Sequence, residues 1–342
     1  MNIMLAANIT PFLHGGADYH IQGTADALIN AGCKVETLRL PFTFQPEQPI
    51  LDLMQWCNKL NLNQPNGYRV DRLISLQFPC YGIEHNCHTA WIMHQHRAIY
   101  ELYSPQNSTP QLAQLKDAII EFDQYALSHC TQRFANSKRV AERLYQYNDL
   151  KAQPLYHPPP AYQAFHRAED LGYIFCPSRI EVLKRQDLLI KALELAPKSL
   201  PIVIAGAGGQ SESLKQLINQ LGLYERVRML GAISEAEKIA YYAHCTAVFF
   251  APFDEDYGYI THEAMLSGKP VITCTDSGGP LEFIEHSHTG WIIPPNPQAI
   301  AEVLNWIAEH PSQTIEMGKA AKAAWPKLGI SWNNVVSKLL ES

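Results

Sequence analysis

MNIMLAANITPFLHGGADYHIQGTADALINAGCKVETLRL (residues 1–40) reads as one strand–helix–strand unit. Residues 3–7 form an apolar run of strand length, and a loop holding Gly15-Gly16 follows it. Ile21, Ala25, Leu28 and Ile29 then recur at i, i+4, i+7 and i+8, the spacing of one helical face. Gly32 stands where a helix C-cap glycine belongs, and residues 34–40 return as a second strand. A helical crossover between two strands makes them parallel neighbours in one sheet.

The same alternation continues outward. Apolar runs predict strands at residues 72–76, 89–93 and 132–135. Between the last two, Thr109-Pro110 has N-cap and first-turn chemistry for a helix presenting Leu112, Leu115, Ile119 and Phe122. HPPPAYQAFHRAED (residues 157–170) is proline-rich and aperiodic, the best linker in the chain. Beyond it, strands are expected at 173–176, 202–205, 226–230, 247–250, 271–274 and 291–293, and helices at 186–195 and 211–221. Ser234 and Glu237 form a capping box for a further helix. This pattern predicts an α/β fold of two parallel-sheet domains, residues 1–160 and 161–327, with helices on both faces of each sheet. Ligands collect beyond the carboxyl ends of such strands, so a cleft between the two sheets is the expected active site.

Composition bounds the function. The chain has 342 residues, about right for two domains, with 46% apolar and 18% charged residues. A net charge of -6 is small for this length and argues against nucleic acid as a partner, which needs a concentrated basic face. The N-terminus has no basic segment followed by a sustained apolar stretch, so it reads as a strand and not as a signal peptide. No run approaches the roughly 18 apolar residues of a membrane span. Eight cysteines without a C-x-x-C pair fit free thiols in a reducing cytoplasm. Cys80, His85, Cys87, His88, His94 and His96 cluster, but their spacing matches no familiar metal-ligand pairing, and no metal is expected.

The chemistry is densest in APFDEDYGYITHEAMLSGKPVITCTDSGGPLEFI (residues 251–284). Glu255 and Glu263 stand eight apart, flanking Tyr257-Gly258-Tyr259-Ile260. Gly258 marks a loop-to-helix junction, and the amides that follow are helix-start donors suited to an anion. Ionised carboxylates only accept, which suits sugar and ribose hydroxyls. Taken alone, the same pair reads equally well as two solvated glutamates at a favourable helix start.

This segment resembles the E-x7-E signature of the family-4 retaining glycosyltransferases, which have the GT-B fold of two Rossmann-like domains facing across a cleft. Its G-K-P-V-I and G-G-x-x-E-x-I elements continue the match. The resemblance implies that Glu263 holds ribose hydroxyls and Glu255 contacts the donor sugar. It also implies that the amides of Gly258, Tyr259 and Ile260 meet sugar and diphosphate. In CPSRIEVLKRQDLLIKAL (residues 176–193), Arg179 and Lys184 resemble the family's cation pair, aimed at the donor diphosphate. Negative charge grows there as the glycosidic bond breaks, and cations in a water-poor cleft stabilise it strongly. AGAGG (residues 205–209) resembles the nucleotide-side loop, although it is not the G-x-G-x-x-G of a dinucleotide site.

In the first half, HGGADYH (residues 14–20) resembles the family's first loop, placing Gly16 against the donor phosphate. TAWIMHQHR (residues 89–97) places His94 at a strand's carboxyl end, where relatives put a histidine facing the reacting sugar. Asp254-Glu255-Asp256 spells a D-x-D, but Glu255 already belongs to the E-x7-E register. The family's last helix crosses back onto the first domain. Trp332, Val335, Val336, Leu339 and Leu340 supply its face here, over about residues 328–342.

The resemblance therefore implies a cytoplasmic, metal-independent, retaining hexosyltransferase that needs no cofactor beyond its nucleotide-sugar donor. The implied acceptor is a glycan or lipid-linked molecule of cell-surface polysaccharide or lipopolysaccharide synthesis. Lys138, Arg139 and Arg143 offer a local basic stripe on one helix, suited to peripheral membrane contact at the inner face, although a plain solvated face is the simpler reading. An epimerase or hydrolase of the same fold, or a non-catalytic nucleotide-sugar-binding partner, is the alternative.

Overall fold

The structure is a computed structural model and describes residues 1–12 and 15–341. Its chain divides into two units. One holds Met1–His157 and the segment from Ser331 onward, and the other holds Pro158–Ile330. The boundaries expected from sequence were 160/161 and 327/328.

In the first unit the strands are β1 (Asn2–Ile9), β2 (Lys34–Pro41), β3 (Arg72–Ser75), β4 (His88–Ile92), β5 (Gln132–Ala135) and β6 (Gln153–Pro154). The helices are α1 (Gly16–Asn30), α2 (Glu47–Lys59), α3 (Pro110–His129) and α4 (Lys138–Asn148). All neighbours pair in parallel in the order β2-β1-β3-β4-β5-β6, and the opening unit sets the register, Asn2 opposite Lys34 through Ile9 opposite Pro41. Thr109 caps α3 as its sequence predicts, its hydroxyl accepting from the Leu112 amide at 3.1 Å. Helix α2 escaped the sequence reading because Pro49 interrupts it, but Pro49 lies in the first turn, where a missing N–H costs nothing.

The second unit repeats the plan with β7 (Ile174–Pro177), β8 (Ile202–Ala205), β9 (Val227–Met229), β10 (Ala247–Phe249), β11 (Val271–Cys274) and β12 (Gly290–Ile293). Its helices are α5 (Gln186–Leu195), α6 (Ser211–Gln220), α7 (Glu235–His244), α8 (Tyr259–Leu266), α9 (Pro297–Glu309) and α10 (Pro311–Ala324). This sheet is also all parallel, in the order β12-β11-β10-β7-β8-β9. The capping box of α7 forms, the Glu237 amide donating to Ser234 Oγ at 3.2 Å and the Ser234 amide to Glu237 Oε2 at 2.8 Å.

Each sheet is covered on both faces. In the first unit α1 contributes Ile21, Ala25 and Leu28 to one core, while Leu115, Ile119 and Phe122 of α3 fill the other. Ile29, assigned to the buried face of α1 from its spacing, is instead 51% exposed. The final helix, α11 (Trp332–Leu340), buries Val335 and Leu339 beside α1. It starts later than the 328 expected, because residues Trp325–Leu328 form a tight turn and Ser331 supplies the cap, accepting from the Asn334 amide at 3.2 Å. Gly23 of α1 lets Trp332 sit close, since a Cβ there would come 2.3 Å from its ring.

Strand order reverses between β1 and β3 in the first unit and between β7 and β10 in the second. In doubly wound sheets a ligand crevice opens at such a switch point.

Candidate active site

The loops leaving β7 and β10 are neighbours at the second unit's switch point. After β7 the chain makes a turn through Ser178, Arg179 and Ile180. Buried Gln186 holds it, its Nε2 donating to Ser178 Oγ at 2.6 Å and to the Arg179 carbonyl at 2.9 Å. The AGAGG loop packs directly on this turn. A Cβ on Gly206 would lie 1.9 Å from the Ser178 carbonyl oxygen, and one on Gly208 would lie 2.3 Å from that of Ile180. Gly206 and Gly209 donate their amides to the Gly231 carbonyl at 2.7 Å and to Glu181 Oε1 at 3.1 Å. These glycines thus serve a close approach of two loops that leaves the Arg179 side chain exposed.

Lys184 and Arg185 then part ways. The Arg185 guanidinium grips Asp276 through two bonds of 2.8 and 2.7 Å and donates to the carbonyls of Ala251 and Pro252 at 2.9 and 2.8 Å. The Lys184 ammonium hydrogen-bonds Glu255 Oε2, and the two side chains are 15% and 21% exposed. The structure therefore brings two of the sequence-predicted residues into direct contact.

Glu255 is placed by backbone. Its amide donates to the Ser277 carbonyl at 3.0 Å, and its carbonyl accepts from the Gly279 amide at 2.8 Å. A Cβ on Gly278 would lie 2.5 Å from that same carbonyl, so the Gly278-Gly279 pair is what lets the two segments run side by side. Next comes Gly258 at φ 85°, a left-handed junction that favours glycine, and then α8. No side chain caps α8 at Gly258.

Glu263 lies one turn further along α8 and is 3% exposed. Its Oε1 accepts from Lys238 Nζ at 2.7 Å and its Oε2 from the Tyr242 hydroxyl at 2.8 Å, both residues of α7. Burial opposes the Lys238 charge, but the Glu263 and Glu235 carboxylates outweigh it and hold the ammonium above the usual lysine range. The sequence reading did not pick out Lys238 or Tyr242. Their i, i+4 spacing on one helix face was visible, but nothing local pointed to their partner. Lys269 of the G-K-P-V-I element is an internal strut, its Nζ donating to the Cys245 carbonyl at 2.6 Å while burial lowers its pKa.

Gly16 and His94 belong to the first unit, at the carboxyl ends of β1 and β4. Gly16 opens α1 at the β1/β3 switch point, beside Asp18, which accepts from the Gly15 amide at 3.2 Å and pairs with Arg39 at 2.9 Å. His94 is half-buried, with Nδ1 2.7 Å from the Gln95 carbonyl. His96 is buried against Phe42 and Phe78, and burial lowers its pKa to about 4, so His94 is the accessible one of the two. Beneath this loop, buried Asp123 accepts from the hydroxyls of Tyr81 at 2.6 Å and Tyr100 at 2.7 Å, a polar knot that sequence alone did not reveal.

One expectation changes. Arg143 is buried and pairs with Glu101 at 3.2 Å, so it cannot join Lys138 and Arg139 in a basic surface stripe. The Cys/His cluster is dispersed into protein contacts, with His88 Nε2 2.8 Å from Ser75 Oγ and Cys80 Sγ 3.4 Å from Asn8 Oδ1. Among the described residues no three His, Cys, Asp or Glu side chains converge as metal ligands, and no helix is long and apolar enough to cross a membrane.

The family model for glycosyl transferases group 1 matches residues 161–324. Human alpha-1,3/1,6-mannosyltransferase ALG2 is 37% identical over 112 residues, covering 33% of this chain and 27% of that protein. D-rhamnosyltransferase WbpZ of Pseudomonas aeruginosa is 31% identical over 178 residues, covering 50% of this chain and 46% of that one. The chain thus spans between about a quarter and a half of the length of these curated relatives. Among solved structures, Anabaena Alr3699/HepE in complex with UDP-glucose superposes over 98% of both chains with a TM-score of 0.73 at 18% identity. That likeness establishes the fold class, GT-B, with two Rossmann-like parallel-sheet units.

Proposed function

From the premise that residues 161–324 form a glycosyl transferases group 1 domain, we propose that this protein is a retaining glycosyltransferase. It moves a hexose-type sugar from a nucleoside-diphosphate donor to a glycan or lipid-linked acceptor, in the synthesis of a cell-surface polysaccharide or lipopolysaccharide. The observation that carries this reading is the Lys184–Glu255 contact at the β7/β10 switch point, three residues ahead of the Gly258 junction that opens α8. It sets a cation and a hydroxyl acceptor side by side. The two curated relatives are named for mannose and D-rhamnose, which is 6-deoxymannose. We therefore assign a manno-configured donor sugar.

In the reaction the bond between the anomeric carbon and the diphosphate oxygen breaks, and the nucleoside diphosphate leaves with the electron pair. Arg179, Lys184 and the amides of Gly258, Tyr259 and Ile260 stabilise that leaving charge. The acceptor hydroxyl oxygen bonds the anomeric carbon on the face the diphosphate leaves, and its proton passes to the departing phosphate. Gly16 admits the phosphate, Glu255 and His94 orient the sugar, and Glu263 holds the ribose. No metal takes part in this scheme. Eight free cysteines support a reducing, cytoplasmic setting, which cell fractionation checks.

A thermal-shift screen of GDP-mannose, UDP-glucose and related donors identifies the ligand, because binding to the folded state raises apparent stability. Transfer is then measured with the donor found. Lys184→Ala and Arg179→Ala should each lower kcat/KM by roughly a hundredfold, the cost of one well-placed charge stabiliser, and EDTA should change nothing. Rates within a few-fold of wild type for both variants would sink the proposal. Donor breakdown without sugar transfer would replace it with an epimerase or hydrolase.

A further inference from the structure

Glu263 is a carboxylate whose two oxygens are already held by the protein. Its side chain is 4% exposed, with Oε1 2.7 Å from Lys238 Nζ and Oε2 2.8 Å from the Tyr242 hydroxyl. Lys238 is 20% exposed and also meets Glu235 Oε1 at 3.0 Å, so the network opens to solvent at its lysine lip and is sealed at its tyrosine. Tyr242 is itself fully buried, against Phe165 and Phe175.

Joining α7 to α8 does not require this arrangement. Replacing a buried ion pair by packed apolar residues is often neutral or stabilising, so net stability is a weak reason for the pair to be there. What a carboxylate with two differently placed donors gains, and an apolar pair cannot supply, is a fixed orientation. Such a carboxylate offers roughly four lone-pair positions, of which Lys238 and Tyr242 take two. The remaining pair suits two adjacent hydroxyls.

We infer that Lys238, together with Tyr242, is a positioning residue that holds the Glu263 carboxylate for the vicinal hydroxyls of the donor ribose and so sets a preference for ribonucleotides over deoxyribonucleotides. The inference rests on the donor reading above, with Glu263 as the ribose acceptor. It adds two residues and a selectivity to that reading. Glu235 serves to keep the Lys238 ammonium from swinging into water, and α7 presents both donors because residues 238 and 242 share one helical face.

Isothermal titration calorimetry of the full chain with GDP and UDP, and with their 2′-deoxy and 3′-deoxy forms, tests it. The wild type should prefer the ribo form about tenfold, the worth of one hydrogen bond to a charged group. In Lys238→Met the preference should collapse toward unity while the deoxy forms bind as before, and Lys238→Arg should restore most of it. Should Lys238→Met fail to fold, as judged by circular dichroism, Tyr242→Phe carries the test, with a several-fold loss of the same preference expected. Full preference in the folded Lys238→Met variant, or in Tyr242→Phe when it stands in, overturns the inference. So does a wild type that binds these nucleotides without discriminating. A wild type that binds neither GDP nor UDP rejects the donor reading itself, and the inference with it.

Discussion

Arg185 gives its whole guanidinium to the protein, two bonds to Asp276 and two to the carbonyls of Ala251 and Pro252, whereas the ammonium of its neighbour Lys184 meets Glu255. The planar fork of arginine suits the first duty and the single mobile charge of lysine the second. Their substitutions should therefore separate cleanly. Arg185→Ala should destabilise the second unit by about 2 kcal/mol, since it strands a half-exposed aspartate and two carbonyls. Lys184→Ala removes a single side-chain bond and strands no carbonyl, so it should cost only about 1 kcal/mol of stability and lose activity instead. Calorimetric melting and transfer kinetics on the two variants check the exchange. Equal melting losses would mean that Lys184 is as structural as its neighbour. The family resemblance pointed to Lys184 and not Arg185, but the partners that separate the two duties lie far off in sequence, Asp276 91 residues from Arg185 and Glu255 71 from Lys184.

At the scale of elements, α11 is held where its chain crosses back to the first unit. Buried Arg72 of β3 donates to the carbonyls of Leu339 and Glu341, the latter at 3.0 Å, placing a cation on the C-terminal end of the helix. Arg72→Met should cost about 2 kcal/mol by leaving those carbonyls unpaired. Amide hydrogen exchange should quicken in residues 335–341 while β1 keeps its protection; unchanged exchange there would show that Val335 and Leu339 alone hold the helix. The elements themselves were largely legible. Short apolar runs announced the strands, and Thr109 and Ser234 announced helix starts by chemistry local to each turn. Gly258, Glu255 and Glu263 stood out because their spacing is also local. What sequence could not supply was pairing across distance. The separation of 25 positions between Lys238 and Glu263 carries no mark of their contact, and nothing local to Gly206 announces the Ser178 carbonyl beneath it.

For the whole molecule, two units with separate cores should respond differently to acid. Burial lowers the pKa of His20, His88 and His262 to about 3 and that of His96 to about 4. An unfolded histidine titrates near 6.5, so above that pH both states are neutral and these groups contribute their full stability. As pH falls from 6.5 toward 3 or 4, the unfolded chain takes up protons that the folded chain refuses, and each group removes about 1.4 kcal/mol per pH unit. Asp123 acts with the opposite sign. Burial is the larger influence and outweighs its hydrogen bonds from Tyr81, Tyr100 and Gln95, raising its carboxyl to about 6. Its penalty is felt above that pH and is relieved on acidification. His20, His88, His96 and Asp123 all lie in the first unit, and His262 lies in the second. On unfolding below pH 6, three histidines less one aspartate give the first unit a net uptake of about two protons, against about one for the second. Differential scanning calorimetry from pH 7 to 5 should therefore show the first unit's transition falling about twice as steeply. Arg72→Met lowers only that transition and so identifies it. A second-unit transition as acid-sensitive as the first would mean that the buried imidazoles of the first unit reach water before the unit unfolds.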